Sequence, residues 1–419
     1  MTGFEILQEV EERVILVGVS TGEGDDTEQS LDELEELAKT AGAVTVGRVI
    51  QNREQIHPGT YIGTGKIAEV QQLAYEVEAT GIICDDELSP AQLKNLEEEL
   101  DLKVMDRTLI ILDIFASRAS TSEGKIQVEL AQLKYRQARL VGLGSSLSRL
   151  GGGIGTRGPG EKKLEIDRRL IKSRIAQLNR ELEEVKRHRE VARSRRSRQS
   201  TAVIAIVGYT NAGKSTLLNT LTGAQVLEED KLFATLDPTT RILELPSGQE
   251  ILLTDTVGFI RKLPHHLIDA FRSTLEEAKY ADMILHVVDA SSPQMDQQMY
   301  VVYETLKNLG VTDKKIVTLF NKQDKMTENQ PHRDLKAEKT IRISAKWGEG
   351  LGEVKQILED LLNEKNVLIE RFYDYRDAGV ISLIRKYGQL LEEEYRGDGI
   401  YVKAYVPMEI YGAVTPDRK

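Results

Sequence analysis

The chain has 419 residues, 40% of them apolar and 29% charged, with a formal net charge of −11. That length allows two to four domains with at least one well-buried core. No stretch approaches the roughly 20 apolar residues of a membrane span, and the acidic balance excludes a protein that coats nucleic acid with its whole surface.

Residues 1–124 alternate short β-like runs with helical patterns. Val14-Ile15-Leu16-Val17, Val44-Thr45-Val46, Gly81-Ile82-Ile83-Cys84 and Leu102-Lys103-Val104-Met105 read as strands. Segments 31–41, 67–79 and 89–100 read as helices, with Ser89-Pro90 as N-cap and first-turn pair. The alternation predicts a small parallel α/β domain. Cys84, the single cysteine, excludes an internal disulfide and reads as a small buried hydrophobe. No basic segment followed by an apolar core stands at Met1, so a cytoplasmic protein is expected.

Residues 125–200 read as a helical domain interrupted by a glycine-rich loop over 142–160. Leu164, Ile171, Leu178 and Val185 are spaced by seven, and Ile175 and Leu182 fill the companion positions. One apolar seam with charged faces suits an antiparallel two-helix coiled coil; a helix lying on a neighbouring domain is the alternative. Between Arg157 and Arg198 there are fifteen Lys and Arg against seven Asp and Glu, a local charge of +8. Arg193, Arg195, Arg196 and Arg198 would repel one another unless phosphates lie nearby, so RNA contact is expected here, with a solvated helix end as the plainer reading.

Residues 201–365 follow a βαβ pattern throughout, opening on Val203-Ile204-Ala205-Ile206-Val207. Gly208-Tyr209-Thr210-Asn211-Ala212-Gly213-Lys214-Ser215 then fits G-x-x-x-x-G-K-[ST], with Thr216 entering the next helix. Its glycines let successive N–H groups wrap phosphate oxygens. Lys214 would sit on the β/γ-phosphates and Ser215 would offer a hydroxyl to Mg²⁺. Asp255-Thr256-Val257-Gly258 lies 41 residues beyond Lys214. Asp255 would hold the metal through water, and the Gly258 N–H would meet the γ-phosphate. Between them, Phe233-Ala234-Thr235-Leu236-Asp237-Pro238-Thr239-Thr240 reads as a switch loop, with Thr235 the leading Mg²⁺ ligand and Thr239 and Thr240 as alternatives. Asn321-Lys322-Gln323-Asp324 closes a strand-like run, and an aspartate there can accept both N1–H and the 2-amino group of guanine, a pair that adenine lacks. Ser344-Ala345-Lys346 follows as the base-side loop, beside Trp347, which reads as a partly buried packing residue. Together these five elements predict a GTP-hydrolysing domain of P-loop type. A small α/β unit over 366–419 follows, with a helix expected over 382–394.

The segments Phe233-Ala234-Thr235-Leu236-Asp237-Pro238-Thr239, Asp255-Thr256-Val257-Gly258-Phe259-Ile260, Gln127-Val128-Glu129-Leu130-Ala131-Gln132-Leu133, Pro58-Gly59-Thr60-Tyr61-Ile62-Gly63-Thr64-Gly65-Lys66 and Leu150-Gly151-Gly152-Gly153-Ile154-Gly155-Thr156-Arg157-Gly158-Pro159-Gly160-Glu161 resemble those of the HflX-type GTPases of the Obg–HflX group. The resemblance implies a monomeric factor that binds the large ribosomal subunit, contacts rRNA through 125–200, takes no DNA, and in several members splits ribosomes. A large-subunit assembly factor using GTP as a timer is the alternative. Peripheral membrane attachment stays compatible with the sequence.

Phe259 stands where Ras-type enzymes carry a water-orienting glutamine, so slow hydrolysis without a partner is expected, and Lys214, Thr235, Gly258 and Asn211 are the candidates for catalysis. Asn211 resembles the loop asparagine of GTPases that recruit K⁺, although stabilising the loop backbone is the simpler role. His265 and His266 read as exposed switch residues. Gly63-Thr64-Gly65-Lys66 lacks the spacer and hydroxyl of the first loop and reads as a helix-entry turn rather than a second nucleotide site.

Overall fold

The computed structural model describes all residues except 1–10, 23–25, 150–158, 198–200, 224–231, 234–237, 265–266, 268–276, 327–331, 365 and 416–419, and no side chain within 141–164 or 190–200. The chain divides into two compact units. The first comprises Met1–Glu183 with Lys231–Phe233 and Arg261–Phe271; the second holds the rest.

The first unit is built on four parallel strands, β1 (Arg13–Ser20), β2 (Val44–Asn52), β3 (Gly81–Cys84) and β4 (Lys103–Asp106), in the order β2-β1-β3-β4. All four match strand signals in the sequence. The central β1 and β3 are near-continuous apolar runs, which is what a parallel sheet covered on both faces requires. Helices α1 (Thr27–Thr40), α2 (Thr64–Glu76) and α3 (Pro90–Leu100) are the expected crossovers. Ser89 caps α3 in a capping box, its Oγ accepting from Gln92 N at 3.2 Å while Gln92 Oε1 accepts from Ser89 N at 2.9 Å. A fourth helix, α4 (Arg107–Arg118), was not anticipated. Its run Leu109-Ile110-Ile111-Leu112 has too little polar contrast to show a helical period, because most of that helix is buried.

Two long helices, α5 (Ser122–Arg149) and α6 (Pro159–Ser197), follow. Ile126, Leu130 and Leu133 pack with Ile175, Leu178 and Leu182. Arg174 closes the seam with a two-pronged pair to Glu129 at 2.7 and 2.9 Å. Helix α5 runs on to Arg149, into the stretch expected to be loop from residue 142. The glycine-rich residues 150–158 lie outside the described residues.

The second unit carries a six-stranded sheet in the order β10-β9-β8-β5-β7-β6. These strands are β5 (Val203–Gly208), β6 (Thr239–Glu244), β7 (Glu250–Asp255), β8 (Met283–Asp289), β9 (Lys315–Asn321) and β10 (Lys339–Arg342), and β6 alone runs antiparallel, against β7. Helices α7 (Lys214–Thr222), α8 (Met295–Asn308) and α9 (Leu351–Leu362) belong to it. One core joins Ile204, Ile206, Leu217, Leu253, Leu285 and Leu319 across the sheet. Each such side chain contributes roughly 1.5–3 kcal/mol on burial.

The same unit ends in a three-stranded antiparallel sheet, β11 (Asn366–Tyr373), β12 (Gln389–Arg396) and β13 (Gly399–Pro407), in the order β11-β13-β12. Helices α10 (Ala378–Tyr387) and α11 (Met408–Val414) pack on it. The helix expected over 382–394 is therefore corrected: it stops at Tyr387, and 389–396 is a strand. Gly388 makes the break, since a Cβ there would lie 2.9 Å from both Ile384 O and Tyr405 O. Glu392-Glu393-Glu394 looks like a helix surface in sequence, but pairing with Lys403, Val402 and Tyr401 makes it a strand.

Candidate nucleotide site

Four loops meet at the C-terminal ends of β5, β7, β8 and β9, where open parallel sheets place their ligands. The phosphate loop leaves β5 at Gly208. A Cβ there would lie 2.2 Å from Val287 O, so only glycine lets β5 turn this close to β8. Gly213, at φ +95°, sits against Asn321, whose Nδ2 would be 2.3 Å from an added Cβ. Helix α7 begins at Lys214, with its first N–H groups and positive end facing the loop.

Lys214 is buried and its Nζ donates to Tyr209 O at 2.7 Å. Burial lowers its pKa to about 8; Asp255 opposes the shift and Lys322 adds to it. Ser215 Oγ donates to Asp255 Oδ2 at 2.8 Å, bringing a hydroxyl and a carboxylate together as hard oxygen donors. Among the described residues there is no cluster of three or more His, Cys, Asp or Glu that could hold a metal by itself. Any cation here would have to share its ligands with phosphate oxygens and water.

Gly258 is pressed against the phosphate loop: an added Cβ would lie 2.8 Å from Thr210 Cα, 2.9 Å from Thr210 Cγ2 and 2.9 Å from Lys214 Nζ. Phe259 N donates to Gly208 O at 3.1 Å and Thr210 N donates to Phe259 O at 2.8 Å, so the two loops are laced by backbone. The Phe259 side chain is buried. The side chains of Thr256 and Val257 are also structural, Thr256 Oγ1 donating to Ile206 O at 2.7 Å and Val257 lying buried. Asn211 is exposed and left-handed at φ 58°.

At the base end, Asn321 acts as a staple. Its Nδ2 donates to Ala212 O at 2.8 Å and its Oδ1 accepts from Ala345 N at 2.9 Å, tying phosphate loop, β9 and base-side loop together. Asp324 is exposed, and its carboxylate accepts from Ser344 Oγ at 2.6 Å. That bond holds its pKa below the usual carboxylate range. Lys322 is left-handed at φ 63°, and its Nζ lies 2.7 Å from Asp289 Oδ2 at the end of β8. Asp289 was not foreseen; an acid closing a β-run, as in Val287-Val288-Asp289, is the signal that pointed to it. Lys346 is exposed, with its ammonium 5.5 Å from the centre of the Trp347 ring. Trp347 is 66% exposed, which corrects the expectation of a packing residue. It lies on a turn that leaves most of the indole open to solvent.

The chain carrying these motifs is 68% identical over 415 residues to "GTPase HflX" of Lacrimispora saccharolytica, covering 99% of this chain and 98% of that one. It is 50% identical over 408 residues to "GTPase HflX" of Caldanaerobacter subterraneus subsp. tengcongensis, covering 97% and 94%. The chain belongs to the HflX family of GTPases. Residues 28–116 match the family described as GTP-binding GTPase N-terminal and 118–196 its middle region. Residues 203–322 match the 50S ribosome-binding GTPases. As an HflX-type GTPase it binds guanine nucleotide and hydrolyses GTP.

Of the switch residues expected at the nucleotide, Ala234, Thr235, Leu236 and Asp237 lie outside the described residues, as do His265 and His266. Phe233 belongs to the first unit, where its buried ring meets Phe115 edge-on at 4.7 Å. Gly63-Thr64-Gly65-Lys66 does open a helix, with Gly63 N bound to Gln51 Oε1 at 2.8 Å and Lys66 paired with Glu69 at 2.7 Å. Cys84 is buried at β3, and burial pushes its thiol pKa well up.

Sequence reasoning missed a buried ionic cluster in the first unit. Arg107 donates to Glu33 at 2.6 Å, Asp85 at 2.9 Å, Ser30 O at 2.8 Å and Arg261 O at 3.2 Å. Lys262 joins Asp85 and, at 2.8 Å, Asp86, while Arg261 pairs with Asp26. The signal was Arg261-Lys262, two cations directly after an apolar Phe259-Ile260.

Proposed function

We propose that this GTPase works on the large ribosomal subunit, docking in its GTP form, splitting or rescuing ribosomes, and leaving after hydrolysis. The carrying observation is the match of 203–322 to the 50S ribosome-binding GTPases. The +8 charge between Arg157 and Arg198 supports it, because an otherwise acidic chain offers rRNA one basic segment, carried on helix α6 of the helical domain 125–200. The remaining domains in this reading are 1–124, 201–365 and 366–419. The protein acts as a cytoplasmic monomer.

Within the site, Gly208 to Thr216 cradle the phosphates, Lys214 places its charge on the β/γ-phosphates, and Gly258 gives its N–H to the γ-phosphate. Asp324 accepts from the guanine edge, Lys322 and the Ser344-Ala345-Lys346 loop flank the base, and Asn321 keeps the two ends in register. Ser215 and Asp255, already in contact, fit Mg²⁺, with Thr235 as the switch ligand. When bound, Mg²⁺ neutralises charge on the β- and γ-phosphate oxygens. Asn211, exposed at the loop apex, is the candidate K⁺ ligand. Phe259 supplies no polar group to water, so the subunit completes the catalytic arrangement, a contribution that can reach about 10⁵ in rate.

Two measurements test this. GTP turnover should rise steeply with purified large subunits, and light scattering of intact ribosomes should fall on adding protein and GTP. Stimulation without any loss of scatter would instead favour an assembly factor that uses GTP as a timer. Equal turnover with and without subunits would exclude both.

A further inference from the structure

The buried Phe259 side chain leaves open whether any side-chain hydroxyl of this chain joins Lys214 and Gly258 at the γ-phosphoryl group as it is transferred. Thr210, third residue of the phosphate loop, is only 6% exposed, yet its Oγ1 has no hydrogen-bond partner among the described residues. A buried hydroxyl without a partner is costly, and a ligand or an ordered water can supply the missing bond. The backbone that carries this hydroxyl is anchored, because the Thr210 N–H is committed to Phe259 O at 2.8 Å. Its neighbours identify the place. Thr210 Cα and Cγ2 and the Lys214 ammonium all lie within 2.9 Å of the point where a Gly258 Cβ would sit. Thr210, the lysine that neutralises the phosphates and the glycine that reports the γ-phosphate therefore share one small volume.

We propose that Thr210 is a catalytic residue whose hydroxyl donates a hydrogen bond to the γ-phosphoryl group during hydrolysis. In that step the water oxygen bonds to phosphorus. The bond from phosphorus to the β–γ bridging oxygen breaks, its electron pair leaving with GDP, and the water's proton ends on the released phosphate. Thr210 is not consumed; it stabilises charge on the oxygens being transferred, alongside Lys214. Because GDP has no γ-phosphate, the hydroxyl contributes to hydrolysis and not to GDP affinity. The inference rests on the proposed placement of Lys214 and Gly258 at the γ-phosphate, and not on the ribosomal role.

The decisive contrast is Thr210→Val against Thr210→Ser in the full chain, read by single-turnover hydrolysis at saturating GTP and by GDP affinity. Valine keeps the shape and loses the hydroxyl; serine keeps the hydroxyl. Thr210→Val should hydrolyse about 10- to 100-fold more slowly, below the usual loss for an oxyanion donor because Lys214 remains. Its GDP affinity should stay within about twofold, and Thr210→Ser should retain most of the rate. A Thr210→Val protein hydrolysing at the unmodified rate overturns the proposal. So does a Thr210→Ser protein as slow as Thr210→Val, or a loss confined to the affinity of both nucleotides. If valine disturbs folding, Thr210→Ser against Thr210→Ala gives the same contrast, since both shrink the side chain and only one keeps the hydroxyl.

Discussion

Arg107 and Asp85 form an ion pair at 2.9 Å in which neither side chain reaches solvent. Burial alone would raise the Asp85 pKa, but Arg107 and Lys262 outweigh it and hold the carboxyl below its ordinary range. The pair also binds the segment after Gly258: Arg107 donates to Arg261 O, and Asp85 takes Lys262.

Removing one partner should be costly, because the other stays buried and charged. Asp85→Asn or Arg107→Met should destabilise the first unit by roughly 3–5 kcal/mol, measured by urea unfolding. The pH dependence has a definite sign. Asp85 has a lower pKa folded than unfolded, so its contribution is present above the ordinary carboxylate value and is lost as pH falls through the folded one. The difference between parent and Asp85→Asn should therefore shrink in acid and be flat from neutral pH upward.

Lys214 carries a pKa of about 8 before a phosphate reaches it. Triphosphate binds the ammonium form, so above that value binding must take up a proton. GTP affinity should be nearly constant from pH 6 to 7.5 and drop by up to about tenfold per unit beyond 8. A fluorescent-nucleotide titration checks this, with Lys214→Met losing the pH dependence along with most of the affinity.

Asp324 keeps its carboxylate exposed and oriented by Ser344. Asp324→Asn turns an acceptor into an amide, which should weaken GTP by about 10²-fold or more and improve xanthosine triphosphate. Competition binding with both nucleotides decides it; unchanged preference would remove Asp324 from base recognition.

Gly208→Ala would place a methyl 2.2 Å from Val287 O. Strand β5 or β8 must shift, so a loss of roughly 3 kcal/mol in stability and a large loss of GDP affinity are expected. Gly65→Ala, inside α2 where an added Cβ meets nothing within 4 Å, is the control: it should leave GDP affinity unchanged and cost no stability, adding about 0.5–1 kcal/mol at most.

Much of the site was legible because phosphate and guanine recognition need particular residue types at short spacings. Gly208 to Ser215, Asp255 to Gly258 and Asn321 to Asp324 could be read this way, and the parallel strands that carry them announce themselves as apolar runs. Helix α4 was hidden because a buried helix has no polar face, and β12 because three glutamates carry no record of their partner strand.

What the sequence determined by itself is the set of guanine-nucleotide motifs and so the class of ligand, since those requirements are local. Only the tertiary structure decided how those groups are held. It made Asn321 the staple between two loops, put Phe259 in the core, set Asp289 against Lys322 and buried Arg107 among Glu33, Asp85 and Arg261 O. The polar contacts among these join residues far apart in the chain, and those of Asn321 and Arg107 are buried, away from the water that would otherwise satisfy the amide or charge.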